Sequence, residues 1–178
     1  MKTTRTRNGL KSKGLLLLMM ACAIAATSCK KNEDGGPGGD AAPGTIKAKI
    51  SGASFSSLKM TTMANRINVG GSSMITVQGN ETSGKAIVIV MNGVDGAGTY
   101  SIGGGANISI SASYTEVNIS NPTATKVWQA PFDPSVAGEV KIAELTDTAI
   151  KGTFTFSAKN TTDNSMREIT EGAFNVSF

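Results

Sequence analysis

The chain predicts one all-β domain, an antiparallel β-sandwich or open β-barrel, carried behind a cleaved export signal and a flexible linker. Apolar residues recur at every second position through much of the chain after Thr45. Turn signals rich in glycine, asparagine and proline break that pattern at short intervals, and no stretch there holds the 3.6-residue period of an amphipathic helix. Period-two alternation places one set of side chains inward and the other in water, the pattern of a half-buried strand.

The first segment reads as an address. Met1 to Gly14 carries five positive charges, on Lys2, Arg5, Arg7, Lys11 and Lys13, with no acid, and the apolar run Leu15 to Ala26 follows. These are the n-region and h-region of a secretory signal. The run holds twelve residues, whereas a span needs about 20 to cross the hydrocarbon. Thr6 separates Arg5 from Arg7, so the general secretory route fits better than a twin-arginine one.

The next residues, Ala26-Thr27-Ser28-Cys29, resemble a lipobox, with Ala26 where leucine is commoner. Cleavage after Ser28 would leave 1–28 as signal peptide and Cys29 as the lipidated first residue, with diacylglycerol on sulfur and a third acyl chain on the freed amine. Each buried CH₂ contributes about 0.8 kcal/mol, so two or more chains hold a protein on a bilayer where one binds reversibly. Two alternatives stand beside this: modification at Cys22, which shortens the h-region, and ordinary cleavage that leaves Cys29 a free thiol. Both keep the export reading.

Composition then bounds the partners. The net charge of +4 counts the signal; without its five cations the mature chain holds twelve basic and thirteen acidic residues, net −1. The cations are scattered, with no basic stripe, so no nucleic-acid partner is expected. The two cysteines, Cys22 and Cys29, both precede the domain, so no disulfide staples it. A chain of this size can rest on its own core.

Residues 29–44 form the lipidated cysteine and a linker rich in glycine and proline, with no large apolar residue from Lys30 to Gly44. Such a segment cannot offset its own ordering entropy. Its acids Glu33 and Asp34 are similar to the surface-export signals of Bacteroidota-type lipoproteins; a solvated linker of no further meaning is the other reading.

The domain spans 45–178. Ile46, Ala48 and Ile50 alternate with Lys47 and Lys49, and Ile108, Ile110, Ala112 and Tyr114 alternate with serines. Between them, Ala86-Ile87-Val88-Ile89-Val90 is apolar throughout, which predicts a central strand covered on both faces. Ile150, Gly152, Phe154, Phe156 and Ala158 alternate with polar residues; turn residues Asn160 to Ser165 follow, then a last strand with Phe174, Val176 and Phe178 on one parity. Those two segments predict a C-terminal hairpin, within nine or ten strands in all.

Chemistry is sparse. The chain has no histidine, which removes the usual neutral-pH base and the commonest transition-metal ligand. With no thiol in the domain, no zinc, haem or iron–sulfur cofactor and no metal ligand set is expected, and no catalytic residue is assigned. A carboxylate pair such as Glu139 and Glu144 is the remaining route to a hydrolase. Gly103-Gly104-Gly105 lacks the following Lys-Ser/Thr of a phosphate loop and reads as a strand connection. Asn92 and Asp95 offer too few oxygens for Ca²⁺, and Asp95-Gly96 reads as a hairpin turn. Candidate platforms for stacking on a sugar are Trp128, Tyr100 and Tyr114; for Trp128 a core plug is the competing role.

The order of several short motifs carries a resemblance. They are Ile50-Ser51-Gly52-Ala53-Ser54-Phe55, the apolar strand before Asn92-Gly93, Gly98-Thr99-Tyr100, the region of Trp128, Lys151 to Phe156, and Glu171-Gly172-Ala173-Phe174. On these the chain resembles a family of Bacteroidota-type envelope lipoproteins, a β-domain of unknown function behind a lipoprotein signal peptide. The resemblance implies an address and a β-fold, and brings no site across.

The expectation is therefore a lipid-anchored, non-enzymatic outer-membrane module. It binds a glycan or an envelope protein, or else has a structural, assembly role without a small ligand.

Overall fold

The alternation resolves into eleven strands of one antiparallel sheet, described over residues 40–105 and 109–178 of a computed structural model. Residues 1–28, Cys29, the linker as far as residue 39, and Ile108 lie outside the described residues. In chain order the strands are β1 (Thr45–Ile50), β2 (Ala53–Ser56), β3 (Met63–Val69), β4 (Ser72–Asn80), β5 (Lys85–Asn92), β6 (Gly98–Gly103), β7 (Ile110–Glu116), β8 (Lys126–Ala130), β9 (Val136–Leu145), β10 (Ala149–Lys159) and β11 (Met166–Ser177). Two short 3-10 turns, Lys59–Thr61 and Pro122–Ala124, are the helical elements among the described residues.

The main path runs β2-β1-β11-β10-β8-β7-β5-β4-β3, with β9 and β6 as a branch from β10. The branch exists because β10 serves two partners along one edge: Ile150 to Phe156 pair with β9, and Lys159 pairs with Gln129 of β8. The sheet curls into an open half-barrel, so of the two expected architectures the open barrel is the one found. The predicted C-terminal hairpin is also present, with Ile150 opposite Val176 and Gly152 opposite Phe174.

The two ends of the path, β2 and β3, are consecutive in the chain, and residues 57–62 cross the seam between them. The Ser57 N–H donates to the Ile46 carbonyl, the Ile46 N–H donates to Ser57 Oγ, and the Leu58 N–H donates to the Asn80 carbonyl. These bonds tie β1 to the end of β4. Gly79 permits the approach: a Cβ there would lie 2.7 Å from Ser57 Cβ and 3.1 Å from Ile46 Cδ1.

Inward side chains of both branches form one core, with Trp128, Tyr114, Phe55, Phe154 and Phe174 as its largest buried members. Three phenylalanines each lie across a glycine on the neighbouring strand: Phe154 opposite Gly172, Phe174 opposite Gly152, and Phe156 opposite Gly138. The rings stack at centroid distances of 6.1 Å for Phe154 and Phe156 and 6.2 Å for Phe154 and Phe174. Register shifts fall here too, between Phe154 and Phe156 against β11 and between Lys151 and Gly152 against β9, and a Cβ at Gly138, Gly152 or Gly172 would lie within 2.6 Å of the neighbouring strand. Glycine is what such a close approach admits, and an aromatic ring from the next strand covers the gap it leaves.

Cover on one face alone is a correction to the expectation for β5. Ile87, Ile89 and Met91 are buried, but Ala86, Val88 and Val90 point outward and are only half-buried. The alternation of a curled sheet assigns them to the convex side, where their neighbours are Ser111, Ser113, Thr76 and Gln78. The folded body also takes in residues before β1: Ala41 is buried, Lys151 pairs with Asp40 at 3.1 Å, and the Gly44 N–H donates to the Asn175 carbonyl.

Candidate functional site

Cross-strand register brings two of the three candidate aromatics together. Tyr114 on β7 is opposite Trp128 on β8, with ring centroids 5.5 Å apart. Both point inward, and Trp128 is 0% and Tyr114 1% exposed. Neither ring offers a face to a ligand, which corrects their reading as stacking platforms. The reason is parity: Trp128 and Ala130 alternate with exposed Val127 and Gln129, so the indole falls on the core side.

A polar network caps this pair. The indole N–H of Trp128 donates to Ser165 Oγ at 2.9 Å, and the Arg167 guanidinium sits 4.4 Å from the ring centroid. Such a cation over an indole face contributes on the order of 1 kcal/mol. Arg167 also approaches Glu116 at 3.7 Å, and the Tyr114 hydroxyl donates to the same carboxylate at 2.9 Å. Burial first, and then the Glu116 carboxylate, push the Tyr114 phenol well above its ordinary range, so it stays a neutral donor. Each polar group here has a partner within the fold, so the cluster reads as a lock on the indole.

The lock is built by the β10–β11 turn. The Asn160 side chain is buried, and its Oδ1 accepts from the Thr162 and Asp163 N–H groups. Asp163 accepts from Ser165 and from Lys126 Nζ. The Ser165 hydroxyl first, then Lys126, hold the Asp163 carboxyl far below the ordinary carboxylate value. A depressed folded value means the stabilisation is complete above the unfolded value near 3.8 and is lost as pH falls below it. Trp128, the single tryptophan, reports this turn. Emission of the parent should hold through pH 4 and shift to the red only on acidification well below the ordinary carboxylate range, and Asp163→Asn should show that shift already at pH 7. Identical emission of the two chains at pH 7 would contradict the linkage.

Tyr100 stands on the other branch, on β6 opposite Val140 of β9. It is half-buried against the core, and its hydroxyl donates to the Gly96 carbonyl at 3.0 Å. The sequence's other candidates separate as well. Glu139 and Glu144 are both exposed on β9, five residues and about 16 Å apart, so they do not meet as a carboxylate pair. Asn92 lies at the end of β5 and Asp95 in the following turn, where Val94 is buried between them and the Gly93 N–H donates to the Ser73 carbonyl. Among the described residues no three of Asp, Glu, His and Cys converge. Gly103 closes β6, and a Cβ there would lie 2.5 Å from the Ser135 carbonyl oxygen, so it serves a strand connection.

Beside the Trp128 lock, Glu116, Lys126, Val117, Asn118 and Ile119 line an open groove of about 430 Å³. Glu116, Arg167, Ser165 and Asp163 went unnoticed in the sequence because no local spacing links them; only the pairing of β7, β8 and the last hairpin brings them to one pole.

A family described as "Domain of unknown function (DUF6252)" matches residues 43–176. No curated protein and no solved structure matches the chain.

Proposed function

The chain belongs to the DUF6252 family, and from that premise we propose a lipid-anchored accessory protein of the cell envelope. It is held at the outer membrane by Cys29 and acts through contact with other envelope protein, without a reaction of its own. The observation that carries the choice of protein over glycan is the burial of Trp128. Glycan platforms use exposed aromatic faces, and the two largest candidates here are spent on the core. Support for the anchor is the run from Leu15 to Cys29.

The test is metabolic labelling with a radioactive fatty acid, followed by fractionation and protease shaving of intact cells. The parent chain should carry label and sediment with membranes; Cys29→Ala should lose both. Label retained by Cys29→Ala would move the anchor to Cys22, and an unlabelled parent would overturn it. Shaving separates a surface domain, the orientation that Glu33 and Asp34 favour, from a periplasmic one. Neutral and acidic polysaccharides should leave Trp128 emission unchanged, and a saturable response would return glycan binding to the lead.

A further inference from the structure

We infer that a recess where β3 ends, β4 begins and β5 ends binds a small zwitterion, with Arg66 taking its carboxylate and Asp95 its ammonium group. The first ground is a reversal of pattern. On β3, Ala64 is buried opposite Val77, and the same parity carries Arg66 opposite Ile75 and Asn68 opposite Ser73. Arg66 and Asn68 therefore stand on the side of the sheet that buries Ile75 and Met91, while Ile67 points outward and is 43% exposed. A shift of one residue would turn Ile67 inward and put the cation in water, the order that stability alone favours. Arg66 is also the only charge on β3 and β4. No outward position on β3, β4, β5, β7 or β8 is charged, and the charges of the convex surface, such as Lys47, Lys49 and Glu168, lie on the other half of the sheet. A departure from binary pattern of this kind marks a place where function outweighs stability.

The second ground is the recess itself. It measures about 430 Å³, within the range of small-molecule sites, which favour the mouths of β-barrels. Gly71, Ser72, Ser73 and Gly93 supply small walls, and Arg66 and Asp95 supply the charges. Both charges are held in place. Arg66 Nε donates to Ser73 Oγ at 3.1 Å, and the Gly93 N–H donates to the Ser73 carbonyl. Asp95 follows Val94, which is packed in the core, and precedes Gly96, whose carbonyl accepts from the Tyr100 hydroxyl. With Nε engaged on Ser73, Nη1 and Nη2 of Arg66 have no acceptor among the described residues. They remain as the planar fork that a carboxylate meets with two parallel hydrogen bonds.

The class of ligand follows from charge. Arg66 and Asp95 face one recess, yet neither forms an ion pair among the described residues. Around the Trp128 lock, by contrast, Lys126 pairs with Asp163 and Arg167 with Glu116. A doubly charged anion such as phosphate would be repelled by the Asp95 carboxylate, and a simple cation by the guanidinium. A ligand that carries both charges, an α-amino acid or the two ends of a short peptide, satisfies each wall. The recess serves such a ligand whether or not Cys29 carries lipid or the domain meets another protein.

Saturation-transfer NMR on the exported full chain at pH 7 tests it, with four probes of one skeleton: alanine, alanylalanine, N-acetylalanine and alaninamide. The first two are zwitterions of different length, and the others keep the carboxylate or the ammonium alone. Alanine or alanylalanine should give a saturable signal, and the tighter of the two distinguishes a free amino acid from a peptide. N-acetylalanine and alaninamide should bind at least tenfold more weakly. Arg66→Gln should weaken the zwitterion at least tenfold while Trp128 emission stays that of the folded chain. Asp95→Asn, in an exposed turn, is a second variant should the first disturb the fold, and it should bring N-acetylalanine level with the zwitterion. Lys47→Gln should match the parent. No saturable signal from either zwitterion, N-acetylalanine as tight as the zwitterion on the parent chain, or binding unchanged in both Arg66→Gln and Asp95→Asn would each overturn the inference.

Discussion

Gly152→Ala is expected to lower the unfolding free energy by about 3 kcal/mol or more, beyond the usual range for a single added methyl. A Cβ at that position would lie 2.3 Å from the Lys141 carbonyl oxygen on β9 and 2.7 Å from Phe174 Cζ on β11. The ring can turn aside. The carbonyl cannot, because Gly152 and Ile142 are register partners and moving Lys141 means moving the β9–β10 ladder. For a domain of this size such a loss lowers Tm by about 10 °C. Urea titration followed by Trp128 emission measures it directly. Gly96→Ala is the matched control, since nothing lies within 4 Å of a Cβ there and its φ is not left-handed; it should change stability by less than about 1 kcal/mol. Phe174→Leu added to Gly152→Ala should recover only part of the loss, because the carbonyl remains. A Gly152→Ala chain within 1 kcal/mol of the parent would show that β9 and β10 are not packed as described.

Trp128→Ala carries the second large effect, about 3–5 kcal/mol, the cost of emptying a large buried aromatic site. Three contacts go with the ring: the tilted packing on Tyr114, the Ser165 hydrogen bond and the Arg167 cation. Far-UV circular dichroism through a thermal melt is the measurement, because the variant has lost its only tryptophan. Trp128→Phe should recover most of the loss while leaving Ser165 without its indole donor. Tyr100→Ala should cost well under half as much, as that ring is only partly buried. The comparison also tests function. A stacking platform on the surface can be truncated with little loss of stability, so a small effect at Trp128 would reopen the glycan reading.

Much of the fold was legible in the residues. Strand parity in Ile150–Ala158 and Phe174–Val176 was enough to pair β10 with β11, because period two leaves only one set of side chains able to face the core. The number of strands was underestimated, since a strand such as β2, with four residues, is too short to show a period. The branch at β10 was not legible: nothing in a linear pattern says that one strand edge will carry two partners in succession.

The candidate site divides in the same way. Which aromatics exist was plain, but whether Trp128 faces water depends on the parity of β8 against β7, and that parity is set by pairing rather than by its neighbours in sequence. The Glu116, Arg167 and Asp163 cap, drawn from three distant segments, is likewise a product of pairing. The expectation that β5 is covered on both faces failed, because the curl of the sheet puts Ala86, Val88 and Val90 on its convex side.

By itself, then, the sequence determined the class of structure and the chemistry it lacks. Alternation dictates strands, and a chain without histidine and without thiols in its domain has no groups for the commonest catalytic and metal sites. Tertiary structure alone decided that the sheet curls open instead of stacking, that glycines meet phenylalanines across strands, and that all charge on the convex surface lies on one half. These are consequences of which strands become neighbours, a long-range choice that local periodicity does not encode.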